Sequence, residues 1–127
     1  MMHRNLYVAN RDPNCEDQSC LCCSNSPESM LHLAECSEIR DAFWNEWLSL
    51  MKKLGIKCNN NAIFLVLGVL GPDKVVDKEG AGMLAIAWRC LYAEIVSARV
   101  DRKQVDLARA LKRATAMLIS RIKAYTD

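Results

Sequence analysis

Two pairs of cysteine and histidine residues lie close together in the first third of this 127-residue chain. Cys20 and Cys23 are separated by two residues, and after eight more residues His32 and Cys36 are separated by three. A Cys-x2-Cys turn can present two thiolates to one metal ion, and residues four apart on a helix project from the same face. The spacing therefore predicts a four-ligand Cys3His site for a structural Zn2+.

Neighbouring residues leave the ligand assignment open, because Cys15 or Cys22 lies close enough to replace one of the four and His3 is a more distant candidate. The chain has seven cysteines, an odd number that suits disulfide pairing poorly. The N-terminus lacks the apolar core of a signal peptide. We therefore expect an intracellular protein, nuclear or cytoplasmic, whose clustered thiols stay reduced and available to metal, while Cys58 and Cys90 are isolated.

The composition is that of one globular domain. Hydrophobic residues make up 51% of the chain and charged residues 25%, with only five glycines and three prolines. The longest apolar run, residues 62–70, is shorter than the roughly 20 residues that span a bilayer, so no membrane segment is predicted. The net charge of +2 is too small to indicate nucleic acid or membrane by itself.

Apolar periodicity predicts helices throughout. Ser26-Pro27 is a typical start for a short first helix, and apolar residues recurring every three or four positions over 39–54 predict a second, stopped by Gly55. Periodicity cannot decide between a buried helix and a buried strand for the apolar run over 63–70, and we favour a short helix. Two long helices follow, over about 83–99 and about 102–124, the second capped by Asp101. No Asn-Gly or Asp-Gly signal predicts a β-hairpin.

The two long helices have different apolar patterns. The first is apolar over a wide arc and should be the central helix, with Ala93 on its buried face and Glu94 alongside. The second has a single stripe that is opposed by a basic face. The residues of that stripe are Val105, Ala108, Leu111, Thr115, Leu118 and Ile122.

These elements give a mainly α fold, in which a small zinc-stabilised N-terminal module lies on a bundle of about four helices. Residues 1–55 form the Cys3His zinc-binding module with its following helix, and residues 56–127 form a helical region with the two long helices. We expect the two parts to form one compact unit, since domains cluster around roughly 100 to 150 residues.

The cysteine-rich region resembles the zinc-binding domain that follows the reverse transcriptase of non-LTR (LINE-type) retrotransposons. The similarity covers roughly residues 4–50 and includes the helix after the last ligand. In that family one more residue usually separates the histidine from the last cysteine, which would place the ligand at Ser37 instead of Cys36. The matching residues are Arg4, Leu6, Cys20, Cys23, Glu28, Ser29, His32, Leu33, Arg40 and Trp44.

The resemblance implies an association with nucleic acid, namely the RNA or target DNA that a retroelement polymerase handles. It does not imply polymerase activity, because the chain is too short for a polymerase palm and has no paired-Asp motif. We also expect no other catalysis. The sequence contains no Gly-rich phosphate loop or Ser-His-Asp arrangement, and four protein ligands leave zinc without an open position.

The basic face of the last helix is the candidate nucleic-acid surface. Arg109, Lys112 and Arg113 could contact phosphates, although a run of charges is usually a solvated helix face. The alternative is a structural or protein-interaction module, in which the two long helices pack as a hairpin against a helical partner or a second copy. Excess exposed apolar surface would mark that alternative, at Leu84, Leu91 and Ile95.

Overall fold

The computed structural model describes residues 20–23 and 29–126, and it is mainly helical, as predicted. The predicted helix start at Ser26-Pro27 and the candidates His3 and Cys15 lie outside the described residues. The elements are α1 (Met30–Glu35), α2 (Ser37–Ile39), a π-helical segment (Arg40–Trp44), α3 (Asn45–Lys53), α4 (Ala62–Leu67), β1 (Val69–Gly71), β2 (Lys74–Val75), α5 (Lys78–Asp101) and α6 (Leu107–Thr126).

The first helix, α1, is capped by Ser29, whose Oγ accepts a hydrogen bond from the backbone N–H of His32 at 3.1 Å. This bond satisfies one of the free N–H groups at the helix start. At Cys36 the backbone leaves the helical region, with φ −56° and ψ 124°, so α1 ends there and α2 begins immediately afterwards. Cys36 is therefore the joint between the two helices.

Residues 37–53 run through α2, the π-helical segment and α3, and they bury the predicted apolar stripe. Phe43, Trp44 and Trp47 are fully buried on this run. Gly55 stops it as predicted: its φ of 77° is left-handed, and its N–H donates to the carbonyl of Lys52 at 3.0 Å.

The apolar run over 63–70 is helical only as far as Leu67. Asn61 caps α4 by accepting from the N–H of Phe64 at 2.8 Å, and Gly68, with φ 72°, ends it. The chain then forms a two-stranded antiparallel sheet, β1 with β2. The sequence analysis did not predict this hairpin, because its turn uses Pro72 and a positive-φ Asp73 instead of an Asn-Gly or Asp-Gly pair.

The central helix is α5, as predicted, although it begins at Lys78 because Asp77 caps it. The Asp77 side chain accepts from the N–H of Gly80 at 2.8 Å. Ala93 is exposed, which corrects the predicted buried face. Of the described helices, α5 alone is long and apolar enough to cross a membrane by length and composition, and 56% of that window is buried against the rest of the protein. Such burial is that of a core helix.

The last helix begins later than predicted. Arg102 takes a left-handed φ of 54° and ends α5, and Asp106, not Asp101, caps α6 by accepting from the N–H of Arg109 at 2.9 Å. The side that faces the core contains Ala110, Ala114 and Leu118. Ala108 and Ile122, from the predicted stripe, are exposed, so the helix is rotated relative to the prediction.

Three buried tryptophans connect the helices. The indole N–H of Trp44 donates to the carbonyl of Leu33 at 3.0 Å, that of Trp47 to Met83 at 3.1 Å, and that of Trp88 to Leu65 at 2.7 Å. The rings of Trp44 and Trp88 lie 5.0 Å apart. Trp44 and Trp88 are thus core residues, as expected, and α1, α4 and α5 are each tied to the core through a carbonyl that accepts from an indole.

Candidate metal centre

The four residues predicted as metal ligands lie together. One donor atom from each of Cys20, Cys23, His32 and Cys36 can be chosen so that all four atoms are within 4.8 Å of one another. Cys20 Sγ lies 4.0 Å from Cys36 Sγ, and Cys23 Sγ lies 3.3 Å from His32 Nε2. Zinc bonds of about 2.3 Å to sulfur and 2.0 Å to nitrogen place tetrahedral donors about 3.5 to 3.8 Å apart. The cluster could therefore hold a metal ion with little rearrangement.

Each pair of donors comes from a defined local structure. Cys20 and Cys23 lie at the two ends of a turn, residues 20–23. His32 lies in α1, and Cys36 is the joint between α1 and α2. Cys20 and Cys36 are buried, whereas Cys23 and His32 are half-buried. The cluster is thus closed on the core side and partly open to solvent on the other.

Backbone N–H groups point at two of the sulfur atoms. The amides of Cys22 and Cys23 donate to Cys20 Sγ, and those of Glu38 and Ile39 donate to Cys36 Sγ. Such bonds stabilise the thiolate form, which is the form that ligates a metal. The turn and the start of α2 therefore supply a second layer of support around the cluster, as the outer shell of a metal site does.

The thiols also perturb one another. A hydrogen bond from the Cys22 thiol, together with the two backbone amides, lowers the pKa of Cys20 to about 4 against the opposing effect of burial. Burial is the main cause that raises the pKa of Cys36 to about 12, and the neighbouring charge on Cys20 adds to it. A divalent cation at the cluster would offset the negative charge of the Cys20 thiolate and favour the thiolate form of Cys36.

Cys22, one of the alternative ligands, does not converge with the other four. Its hydrogen bond with Cys20 is the largest cause that raises the pKa of Cys22, and burial adds to it. Cys22 therefore lies beside the cluster, next to Cys20, and its raised pKa favours the thiol form. Cys58 and Cys90 are isolated from the cluster, as predicted; burial raises the pKa of both thiols.

The basic residues of α6 have a role that the sequence analysis did not assign. Arg109 Nε lies 3.2 Å from Glu94 Oε1, and Arg113 Nη1 lies 3.6 Å from Glu94 Oε2. The Glu94 side chain is only 4% exposed. Two of the three candidate nucleic-acid residues thus neutralise a buried carboxylate of α5. The sequence did contain a signal for this ion-pair arrangement. Glu94 lies among apolar residues of the predicted central helix, and Arg109 and Arg113 lie four residues apart on the next helix.

The four-donor cluster on a helical body defines a Cys3His class of candidate metal site. Comparison with known proteins adds no further assignment, because no protein-family model, no curated protein and no solved structure matches this chain.

Proposed function

We propose that Cys20, Cys23, His32 and Cys36 bind one Zn2+ and that this ion has a structural role. The mutual distances of the four donor atoms, all within 4.8 Å, carry the proposal. Three thiolates and one imidazole favour zinc over magnesium, calcium or manganese, which prefer oxygen ligands. Four protein ligands fill a tetrahedral sphere and leave no position for a reacting water. The domain is therefore non-catalytic in this proposal.

The ion would connect the 20–23 turn to the helical body. His32 and Cys36 belong to α1 and its end, and Leu33, between them, accepts the indole hydrogen bond of Trp44 from the core. Metal ligation and core packing therefore act on the same short helix. Such an ion contributes to folding because the converged ligand set exists only in the folded chain.

Metal analysis of the purified protein tests the assignment. We expect one zinc per wild-type chain, one in Cys22→Ser, and a large loss of zinc in Cys23→Ser and in Cys36→Ser. Cys22→Ser is the matched control, because it removes a thiol next to the cluster that does not converge with the other donors. Wild-type protein without zinc would overturn the proposal, and zinc retained in Cys36→Ser but lost in Cys22→Ser would overturn the ligand set.

We further propose that the domain binds RNA or DNA through α6. The proposal is supported by the resemblance to the zinc-binding domain of retroelement reverse transcriptases and by the exposed basic side chains of α6. Arg109 and Arg113 each retain exposed surface beside Glu94. Lys112 is exposed and forms no ion pair among the described residues. Lys112 is thus the residue most free to contact a phosphate.

Salt titration of binding to a single-stranded RNA and to a DNA duplex tests this part. We expect affinity to fall steeply with added salt, and Lys112→Ala to reduce the slope of log K against log salt by about 1. Lys103→Ala serves as a control, because Lys103 pairs with Asp101 in the α5–α6 connection. Absence of binding at low salt, or equal slopes for Lys112→Ala and wild type, would contradict the proposal.

A further inference from the structure

An apolar groove of about 520 Å3 lies where the end of α3, the start of α5 and the end of α6 meet. Two of its apolar side chains are exposed, Leu54 at 46% and Ile122 at 42%. The apolar lining is Leu54, Ile56, Met83, Ile86, Leu118 and Ile122. Clustered apolar surface of this kind marks interaction sites on soluble proteins.

Basic side chains surround the groove. Among the described residues, Lys78 and Arg121 line it together with one acidic residue, Glu79. Ile56 also lines an adjoining depression of about 460 Å3, where the described lining includes Lys52, Lys57 and Lys74 but no acidic residue. Among the described residues, none of these five basic side chains forms an ion pair. Their charge is therefore available to a partner.

We propose that this groove docks an amphipathic helix of a partner protein whose apolar stripe is flanked by acidic side chains. A helix fits such a groove by inserting anchors spaced at i, i+3 or i+4, and i+7, and the aliphatic floor suits leucine-like anchors. Carboxylates beside those anchors would lie against the basic side chains at the rim, and complementary charge speeds association and fixes register.

A second copy of this chain is a poorer occupant. The α6 helix has no acidic residue over 107–126, so a two-fold contact through its exposed apolar side would bring basic residues against each other. Nucleic acid is also a poorer occupant, because single-stranded bases bind by stacking on aromatic rings and none of the described residues that line the groove is aromatic. The acidic helix satisfies both the apolar floor and the basic rim.

The test uses the zinc-loaded protein and a labelled 21-residue synthetic helix with leucine at the a and d positions and glutamate flanking them. A matched peptide carries lysine in place of each glutamate. Fluorescence anisotropy should show roughly micromolar binding of the acidic peptide and at least about tenfold weaker binding of the basic one. Leu54→Ser and Lys57→Glu should each weaken the acidic peptide about tenfold.

Two control variants separate the groove from the general surface. Val100→Ser changes an apolar residue that is 74% exposed and does not line the groove. Lys103→Glu reverses a charge close to Val100 in the chain, also at a residue that does not line the groove. Both should leave peptide affinity within about twofold of wild type. Circular dichroism and zinc content should be unchanged in all four variants, since each replaced side chain is exposed.

The proposal would be overturned by absence of peptide binding, by equal binding of the basic peptide, or by equal losses in the control variants. Self-association of the chain that Leu54→Ser abolishes would also overturn it. RNA binding that Leu54→Ser weakens tenfold, without an effect on the acidic peptide, would assign the groove to nucleic acid instead.

Discussion

Replacing His32 with alanine is expected to destabilise the protein by about 4 kcal/mol, a fall of roughly 15 °C in the thermal midpoint for a domain of this size. The reason is the proposed zinc, which binds the folded chain with four converged donors and the unfolded chain much more weakly. His32 suits this test because its half-buried side chain leaves only a small cavity. The cap of α1 also survives, since Ser29 bonds to the backbone N–H of residue 32 and not to its ring.

Thermal unfolding followed by circular dichroism, with and without a chelator, measures this effect. Chelation should bring the wild-type midpoint down to that of His32→Ala and should leave His32→Ala unchanged. Cys22→Ser should melt and respond to the chelator as the wild type does. If His32→Ala and wild type unfold at the same temperature and the chelator shifts neither, no structural zinc is bound at this cluster.

The second large effect is expected from the double variant Arg109→Ala with Arg113→Ala, which should destabilise the fold by about 2 kcal/mol. Both arginines contact the carboxylate of Glu94, and removing both leaves a buried charge with neither of these two partners. The arginines are themselves about half exposed. Solvent therefore attenuates the loss relative to a fully buried triad.

Urea denaturation of a small set of variants isolates the role of Glu94. Adding Glu94→Leu to the double variant should recover most of the lost stability, because an apolar residue at a buried position needs no ionic partner. Lys112→Ala, on the same helix, should stay within about 0.5 kcal/mol of wild type. A double variant as stable as wild type, or one that Glu94→Leu does not rescue, would show that the ion pairs of Glu94 with Arg109 and Arg113 do not stabilise the fold.

Local patterns in the sequence predicted most of the helical structure. The two pairs of spaced donors predicted the cluster, because each pair depends only on a turn or on one helical turn. The stripe over residues 39–54 and its stop at Gly55 were predicted for the same reason. The central position of α5 followed from its wide apolar arc. In each of these cases, interactions within a few residues determine the outcome.

The remaining features depend on contacts between distant residues. The rotation of α6 was not predicted, because the burial of Ala110 and Ala114 depends on how the helix packs against the rest of the protein and not on hydrophobicity alone. The hairpin was missed since Gly68 ends α4 inside an apolar run and the following turn lacks an Asn-Gly signature. The link between Glu94 and the two arginines joins separate helices, and only their packing reveals it.

The indole of Trp44 connects a chromophore to the cluster of Cys20, Cys23, His32 and Cys36. Its N–H bonds to the carbonyl of Leu33, the residue after the ligand His32, and its ring lies 5.0 Å from that of Trp88. If α1 unfolds or shifts, the hydrogen bond to the Trp44 indole changes, and so does the environment of its fluorescence. The contact between the Trp44 and Trp88 rings would change with it. Tryptophan emission is therefore a label-free readout for testing the zinc binding proposed at Cys20, Cys23, His32 and Cys36.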